Sequence, residues 1–126
     1  MDTAMHIKFA KLPVADQDRA VDFYTKNLPC RVATDSLYGD DGWRWIELTF
    51  ASAETTLMFH KRGEHEGDGE KPVLVLVDAD LDTTVATLKE NGVEIITEPG
   101  EAPWNPDARF AAFRDSEGNR LVLTTS

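Results

Sequence analysis

The sequence predicts an α+β fold of two tandem βαβββ modules, whose curved mixed sheets are arranged around a groove. Three observations predict it. The order strand, helix, strand, strand, strand can be read twice along the 126 residues. The two readings coincide at a constant offset of 64 positions. The one linker-like stretch, residues 61–71, is charged and glycine-rich and lies near mid-chain. The chain reads as a single domain, with module one at about residues 5–60 and module two at about 72–126.

Module one opens with a strand at residues 6–11, where Ile7 and Phe9 alternate with His6 and Lys8. Pro13 and Val14 lead to Asp16, a good helix N-cap, and Asp18 then puts negative charge in the first turn. Val21, Tyr24 and Leu28 recur at i, i+3 and i+7, the stripe of an amphipathic helix over residues 16–28, and Pro29 ends it. A strand follows at 30–34, then a polar loop at 35–42 that closes on Asp40-Asp41-Gly42. Residues 43–50 alternate, with Trp45, Glu47 and Thr49 on one face and Arg44, Ile46, Leu48 and Phe50 on the other. After a turn at 51–54, a fourth strand at 55–60 carries Leu57, Met58 and Phe59.

Module two starts with an aliphatic strand at 72–77 that should be buried. Asp80 caps a helix bearing Leu81, Val85 and Leu88 at i, i+4 and i+7, and Gly92 stops it. Residues 93–97 form a strand, and residues 98–107, with Pro99, Pro103, Trp104 and Pro106, read as a loop. Strands at 108–114 and 121–124 are joined by Asp115, Ser116, Gly118 and Asn119. Asp and Ser can bond nearby backbone and Gly takes positive φ freely, so this is a tight hairpin. The offset of 64 carries Asp18 to Asp82, Val21 to Val85, Tyr24 to Leu88, Asn27 to Asn91 and Ile46 to Phe110. It also carries Leu57, Met58 and Phe59 to Leu121, Val122 and Leu123, without a gap over about 40 positions.

Composition excludes some functions. The net charge of −10 argues against nucleic acid, because a phosphate-binding surface needs Lys and Arg. It suits either plain solubility or a cationic ligand. A single cysteine precludes an intrachain disulfide and fits a reducing compartment. Cys30, in an apolar context, reads as a buried structural thiol. The first residues lack the basic and apolar regions of a signal peptide, and the longest aliphatic run, 73–77, is too short to cross a bilayer. A cytoplasmic protein without membrane contact is expected. There is no glycine-rich phosphate loop and no Ser or Cys nucleophile motif.

Four segments resemble the vicinal oxygen chelate superfamily, which includes glyoxalase I, bleomycin-resistance proteins and extradiol dioxygenases. They are Val14-Ala15-Asp16-Gln17-Asp18-Arg19-Ala20-Val21-Asp22-Phe23-Tyr24, Arg44-Trp45-Ile46-Glu47-Leu48, Glu98-Pro99 with Pro103-Trp104, and Phe113-Arg114-Asp115-Ser116-Glu117-Gly118-Asn119-Arg120. Together they span most of the chain, although Leu28-Pro29 stands where the family usually has Leu-Gly. The motifs belong to the scaffold and leave the activity open.

The resemblance implies the glyoxalase/bleomycin-resistance fold, a homodimer, and in metal-dependent members four His or Glu ligands to a divalent ion that acts as a Lewis acid. Carried onto this chain, those positions fall at Phe9, Met58, Pro72 and Val122, none of which binds such an ion. No metal or other cofactor is therefore expected. The expected function is a metal-free small-molecule-binding protein that sequesters an antibiotic or binds a hydrophobic metabolite. Phe9, Trp43, Trp45, Met58, Phe59 and Trp104 are the candidates for an apolar lining, and Arg44, Glu47, His60 and Arg114 for polar contacts. Core or dimer packing for each Trp and cross-strand ion pairing for each Arg are the competing roles. The alternative is a metal-dependent lyase, isomerase or dioxygenase, with an ion held by His6, Glu47 or His60 after a register shift; His65 lies in the linker.

Overall fold

The computed structural model describes residues 4–37, 39–51, 53–66 and 69–126. The readings that fall on residues 1–3 of the N-terminus, 38 of the polar loop, 52 of the turn and 67–68 of the linker lie outside the described residues. The elements are β1 (Phe9–Val14), α1 (Gln17–Asn27), β2 (Cys30–Leu37), β3 (Arg44–Phe50), β4 (Thr56–Lys61), β5 (Leu74–Val77), α2 (Leu81–Glu90), β6 (Ile95–Ala102), β7 (Asn105–Arg114) and β8 (Arg120–Thr124). Two compact units meet in sequence at Lys61 and Arg62, and each holds one helix and one mixed four-stranded sheet.

In the first unit the sheet order is β1-β4-β3-β2. β1 and β4 run parallel from Phe9 opposite Thr56 to Val14 opposite Lys61, while the other pairs are antiparallel. A parallel pair cannot be closed by a short turn, so α1, β2 and β3 form the connection. β1 lies three residues later than its sequence pattern predicts and includes Pro13. An edge strand tolerates a residue that has no N–H to donate. β2 runs three residues longer than expected, because Asp35, Ser36 and Leu37 pair with Ile46, Trp45 and Arg44 beyond a bulge between Val32 and Thr34.

Asp16 caps α1 as expected, its Oδ1 accepting the Arg19 N–H at 3.1 Å. Leu12, Val14, Ile46, Leu48, Leu57 and Phe59 share one pleat face and are buried with Ala20 and Tyr24 of the helix. The Tyr24 and Phe59 ring centroids are 6.2 Å apart. Phe59 is thus core, not part of an open lining. A polar clamp fixes the start of α1 to the start of β3. The Gln17 amide donates to the Arg44 carbonyl at 2.7 Å and accepts the Arg44 N–H at 3.0 Å. The Arg44 guanidinium donates to Asp18 at 2.8 Å and to Asp35 at 3.0 Å, the ion-pair role that competed with ligand contact for this arginine.

The second unit repeats the order, β5-β8-β7-β6, with β5 and β8 parallel from Leu74 opposite Leu121 to Val77 opposite Thr124. Leu81, Val85 and Leu88 of α2 are buried, as are Ala111, Phe113, Leu121 and Leu123. Asp80 occupies the N-cap position, but its carboxylate accepts from the Thr83 hydroxyl at 2.9 Å instead of a helix N–H. Gly92, at φ +76°, ends the helix. Two expectations fail here. β5 is not a buried strand: Val75 and Val77 are 55% and 72% exposed on a sheet edge. Residues 98–107 are not a loop but the distal half of the β6–β7 hairpin, with Ala102 opposite Asn105 and only Pro103 and Trp104 at the tip. Its register shifts and edge position accommodate Pro99 and Gly100.

The β7–β8 turn shows what its motif does. Asp115 is 7% exposed, and its Oδ1 accepts the N–H groups of Glu117 and Asn119 at 2.8 Å each. Its Oδ2 accepts from the Asn119 side-chain amide at 3.0 Å, and Gly118 takes φ +82°. The two strands of the turn are closed by the Asp115 N–H on the Asn119 carbonyl at 2.9 Å.

The two units share a frame but not the gap-free match predicted. Ala10 opposite Leu57 and Leu74 opposite Leu121 both fit an offset of 64. Leu48 opposite Leu57, against Phe113 opposite Leu121, sets β3 and β7 at an offset of 65. The pairs Arg44–Asp18 and Arg109–Asp82 show the same slip, one partner moving by 65 and the other by 64. Module two has one more residue between helix and third strand, and one fewer in the turn that follows.

Removing the carboxylate of Asp115 takes away the acceptor of three hydrogen bonds, two of them from backbone groups in a buried turn. Asp115→Ala should lose about 3 kcal/mol of stability in urea denaturation, with Ser116→Ala within about 0.5 kcal/mol of wild type. A loss for Asp115→Ala no larger than that control would refute this account of the motif.

Candidate functional site

Side chains alternate across a strand, so the face of the first sheet turned away from α1 is set by the same register. It carries Phe9 of β1, Trp45 and Glu47 of β3, and Thr56, Met58 and His60 of β4. Glu47 lies opposite Met58, while Lys11 and Pro13 lie opposite Met58 and His60 on the other side. Met58 is 8% exposed and the others are half-buried.

A connected group forms on this face. Phe9 and Trp45 reach across β4 and meet edge to face, with centroids 5.4 Å apart and planes at 69°. The Trp45 indole Nε1–H donates to Glu47 Oε2 at 2.7 Å, and the Thr56 hydroxyl donates to Glu47 Oε1 at 2.9 Å. Lys8 Nζ sits 5.3 Å from the Phe9 ring centroid. The indole donor, followed by the Thr56 hydroxyl and the Lys8 charge, holds the Glu47 carboxyl below its usual range despite some desolvation. Glu47 is a poor general base under these conditions and a good anionic acceptor. Its bond also fixes the plane of the indole, leaving an oriented aromatic surface beside a carboxylate.

Of the residues singled out from sequence, the structure brings Phe9, Trp45, Glu47, Met58 and His60 onto this one face. Trp43 is elsewhere. It lies before β3, with Lys61 Nζ 5.8 Å from its ring centroid, in a shallow depression of about 400 Å³ shared with residues 39–41. Trp104 and Arg114 belong to the second unit. Trp104, 55% exposed at the hairpin tip, packs edge to face on Phe110 at 5.2 Å. Arg114 Nη1 donates to the Gly118 carbonyl at 3.1 Å and so braces the last turn. The second sheet has no counterpart of Glu47, since Ala112 stands opposite Val122 where Glu47 stands opposite Met58. Thr56, Lys8 and Phe110 were not among the sequence candidates. Thr56 lies two residues before Met58 on the same face, a spacing that would have found it.

The donor set does not fit the superfamily's divalent ion. Of the positions the resemblance implies, Phe9, Met58 and Val122 offer no ligand for such an ion, and the ladders bear on the fourth. Phe9 pairs with Thr56, and the equivalent rung joins Val73 to Arg120 through the Val73 N–H on the Arg120 carbonyl at 2.9 Å. The residue of module two on the rung equivalent to Phe9 is thus Val73, next to Pro72, and neither side chain can bind such an ion. His6 Nδ1 lies 3.3 Å from Glu54 Oε2 ahead of β1, and His65 is exposed with its Nε2 3.6 Å from Glu64. Among the described residues no three His, Cys, Asp or Glu side chains gather as a metal ion requires. Cys30 is half-buried, its Sγ donating to the Tyr24 carbonyl at 3.2 Å, and desolvation pushes its pKa up to about 11.

The fold and this face define a class. The glyoxalase/bleomycin resistance protein/dioxygenase superfamily matches over residues 5–123, and the chain belongs to that superfamily. YetH, an uncharacterised protein of Bacillus subtilis (strain 168), is 31% identical over 111 residues, covering 87% of this chain and 89% of its own. The crystal structure of TnmS3, an antibiotic binding protein from Streptomyces sp. CB03234, is 30% identical with a TM-score of 0.78 over 98% of this chain and 97% of its own. The crystal structure of UcmS2 is 26% identical with a TM-score of 0.82 over 98% of this chain and all of its own. No described helix is long and apolar enough to cross a membrane.

Two measurements check the titrating groups. The folded-state value of Glu47 lies below the ordinary carboxylate value of about 4.3, so its stabilising contribution is present above that pH and is lost as pH falls through the lowered value. Wild type should therefore lose more stability than Glu47→Gln below about pH 4, read by urea denaturation; equal losses would contradict the bonded carboxylate. At pH 8 the Cys30 thiolate fraction should be about one in a thousand, so an aromatic disulfide reagent should label unfolded protein at least about tenfold faster than folded. Equal labelling rates would show that this thiol is not masked.

Proposed function

We propose that the protein binds a small molecule without a metal ion and sequesters it, the ligand being an antibiotic or a hydrophobic metabolite. The observation that carries this reading is the fixed Phe9–Trp45 aromatic pair beside Glu47, on a sheet face where Phe9 and Met58 stand at positions the resemblance assigns to metal ligands. The antibiotic binding by TnmS3, a relative of near-complete coverage, supports the same class of ligand. The chemistry asked of the protein is recognition alone: an oriented ring for stacking, a thioether at Met58 that adapts to shape, and one anionic acceptor. A homodimer in the cytoplasm completes the proposal. The exposed Val75 and Val77 on the β5 edge are the kind of surface that a second copy covers.

Calorimetry against a panel of aromatic antibiotics, with and without chelator, tests this. At least one compound should bind with a Kd in the micromolar range or tighter, unchanged by chelator, and Trp45→Ala should weaken it by about 2 kcal/mol, roughly thirtyfold. Binding that disappears on chelation, with one equivalent of divalent metal in untreated protein, would replace this reading with the enzymatic one.

A further inference from the structure

The proposal that this face binds a small molecule leaves open which functional groups it accepts, and Glu47 bears on that. A carboxylate has about four lone-pair sites. Two of those on Glu47 are taken, one by the Trp45 indole N–H and one by the Thr56 hydroxyl. Both donors come from the protein, and the groups that remain on the carboxylate are acceptors only. A ligand resting on the Trp45–Phe9 pair meets an acceptor at its edge. A donor there completes a charge-assisted bond, whereas a ligand carboxylate or phosphate meets like charge.

Lys8 is the competing charge. It is exposed, lies over the Phe9 ring, and makes the smallest contribution to lowering the Glu47 pKa. A cationic ligand would therefore compete with Lys8 for both the ring and the carboxylate. In the second sheet the corresponding rung offers no such acceptor, because Ala112 occupies it.

Resting on the proposed binding function, we infer that Glu47 determines specificity: it selects aromatic ligands that carry a hydrogen-bond donor next to the ring, protonated amines above neutral hydroxyls, and rejects aromatic carboxylates. Trp45 is the surface the ring rests on, and Thr56 is a positioning residue that keeps the carboxylate facing it.

Four probes of one shape test this: 1-naphthylmethylamine, 1-naphthol, 1-methoxynaphthalene and 1-naphthoic acid. Binding is followed by the indole N–H resonances of the three tryptophans in nitrogen-15 labelled full-length protein, with Trp45→Phe assigning the Trp45 signal. Sodium chloride at about 0.3 M shrinks the screening length to roughly 6 Å, which suppresses the general attraction of cations to an acidic protein. The amine should shift the Trp45 signal and bind about tenfold to a hundredfold more tightly than the acid, with naphthol between them. Glu47→Gln keeps an acceptor for the indole but removes the charge, and should cut that ratio to about threefold or less while leaving methoxynaphthalene within about twofold. Lys8→Met should tighten the amine by a few-fold.

The inference is overturned if acid and amine bind alike to wild type, if Glu47→Gln leaves their ratio unchanged, or if no probe moves the Trp45 signal. An antibiotic found by calorimetry that binds Glu47→Gln and Trp45→Phe as well as wild type would sink this assignment and leave the binding function standing. A Thr56→Val variant separates positioning from contact: it should reduce the amine-to-acid ratio, and Thr56→Ser should restore it.

Discussion

Each module rests on a parallel pairing between its first strand and its last. Phe9 to Val14 along Thr56 to Lys61, and Leu74 to Val77 along Leu121 to Thr124, are contacts between segments nearly fifty residues apart. A helix and two strands must be threaded between the paired strands, so the whole βαβββ order follows from this one closure. It also sets which side chains share the candidate site, because the period of a strand is two and the register assigns each side chain to the helix side or the other side. Leu12, Leu57 and Phe59 are sent inward, and Phe9, Thr56 and Met58 outward. A slip of one rung would exchange them.

The two modules use the same scaffold for different chemistry. The Arg44–Asp18 and Arg109–Asp82 pairs tie helix to third strand in both. The faces away from the helices differ. The first carries a carboxylate tied to an indole and a hydroxyl, and the second carries Ala112, Val122 and the exposed valines of β5. Closure of the sheet fixes which residues form each face, and the two opposite faces carry different chemistry on the same register.

Much of this was legible from the residues, for physical reasons that differ by element. The helices were, because Asp16, the i, i+3, i+7 stripe and Gly92 are local signals. The split of β3 into Trp45–Glu47–Thr49 and Ile46–Leu48 was, because alternation is strict there. The start of β1 and the reach of β6 were not. Pro13, Pro99 and Gly100 signal breaks locally, and only the sheet edge on which they lie makes them acceptable. The aromatic and acidic members of the site could be listed from composition and alternation, yet Trp43, Trp104 and Arg114 could not be separated from Trp45 and Glu47. That separation depends on long-range pairing. Thr56 could have been placed on this face by its spacing from Met58, but its bond to Glu47 exists only where β4 lies beside β3.

The single-residue difference between the modules has a consequence for how this architecture tolerates change. The extra residue of module two enters before β7 and is given back in the Asp115 turn, so the first and last strands of both modules stay in step with their helices. Length can vary at the hairpin tips without any inward side chain being turned outward. Insertions at those tips are thus the route by which a duplicated half-domain can reshape its rim while its interior stays intact.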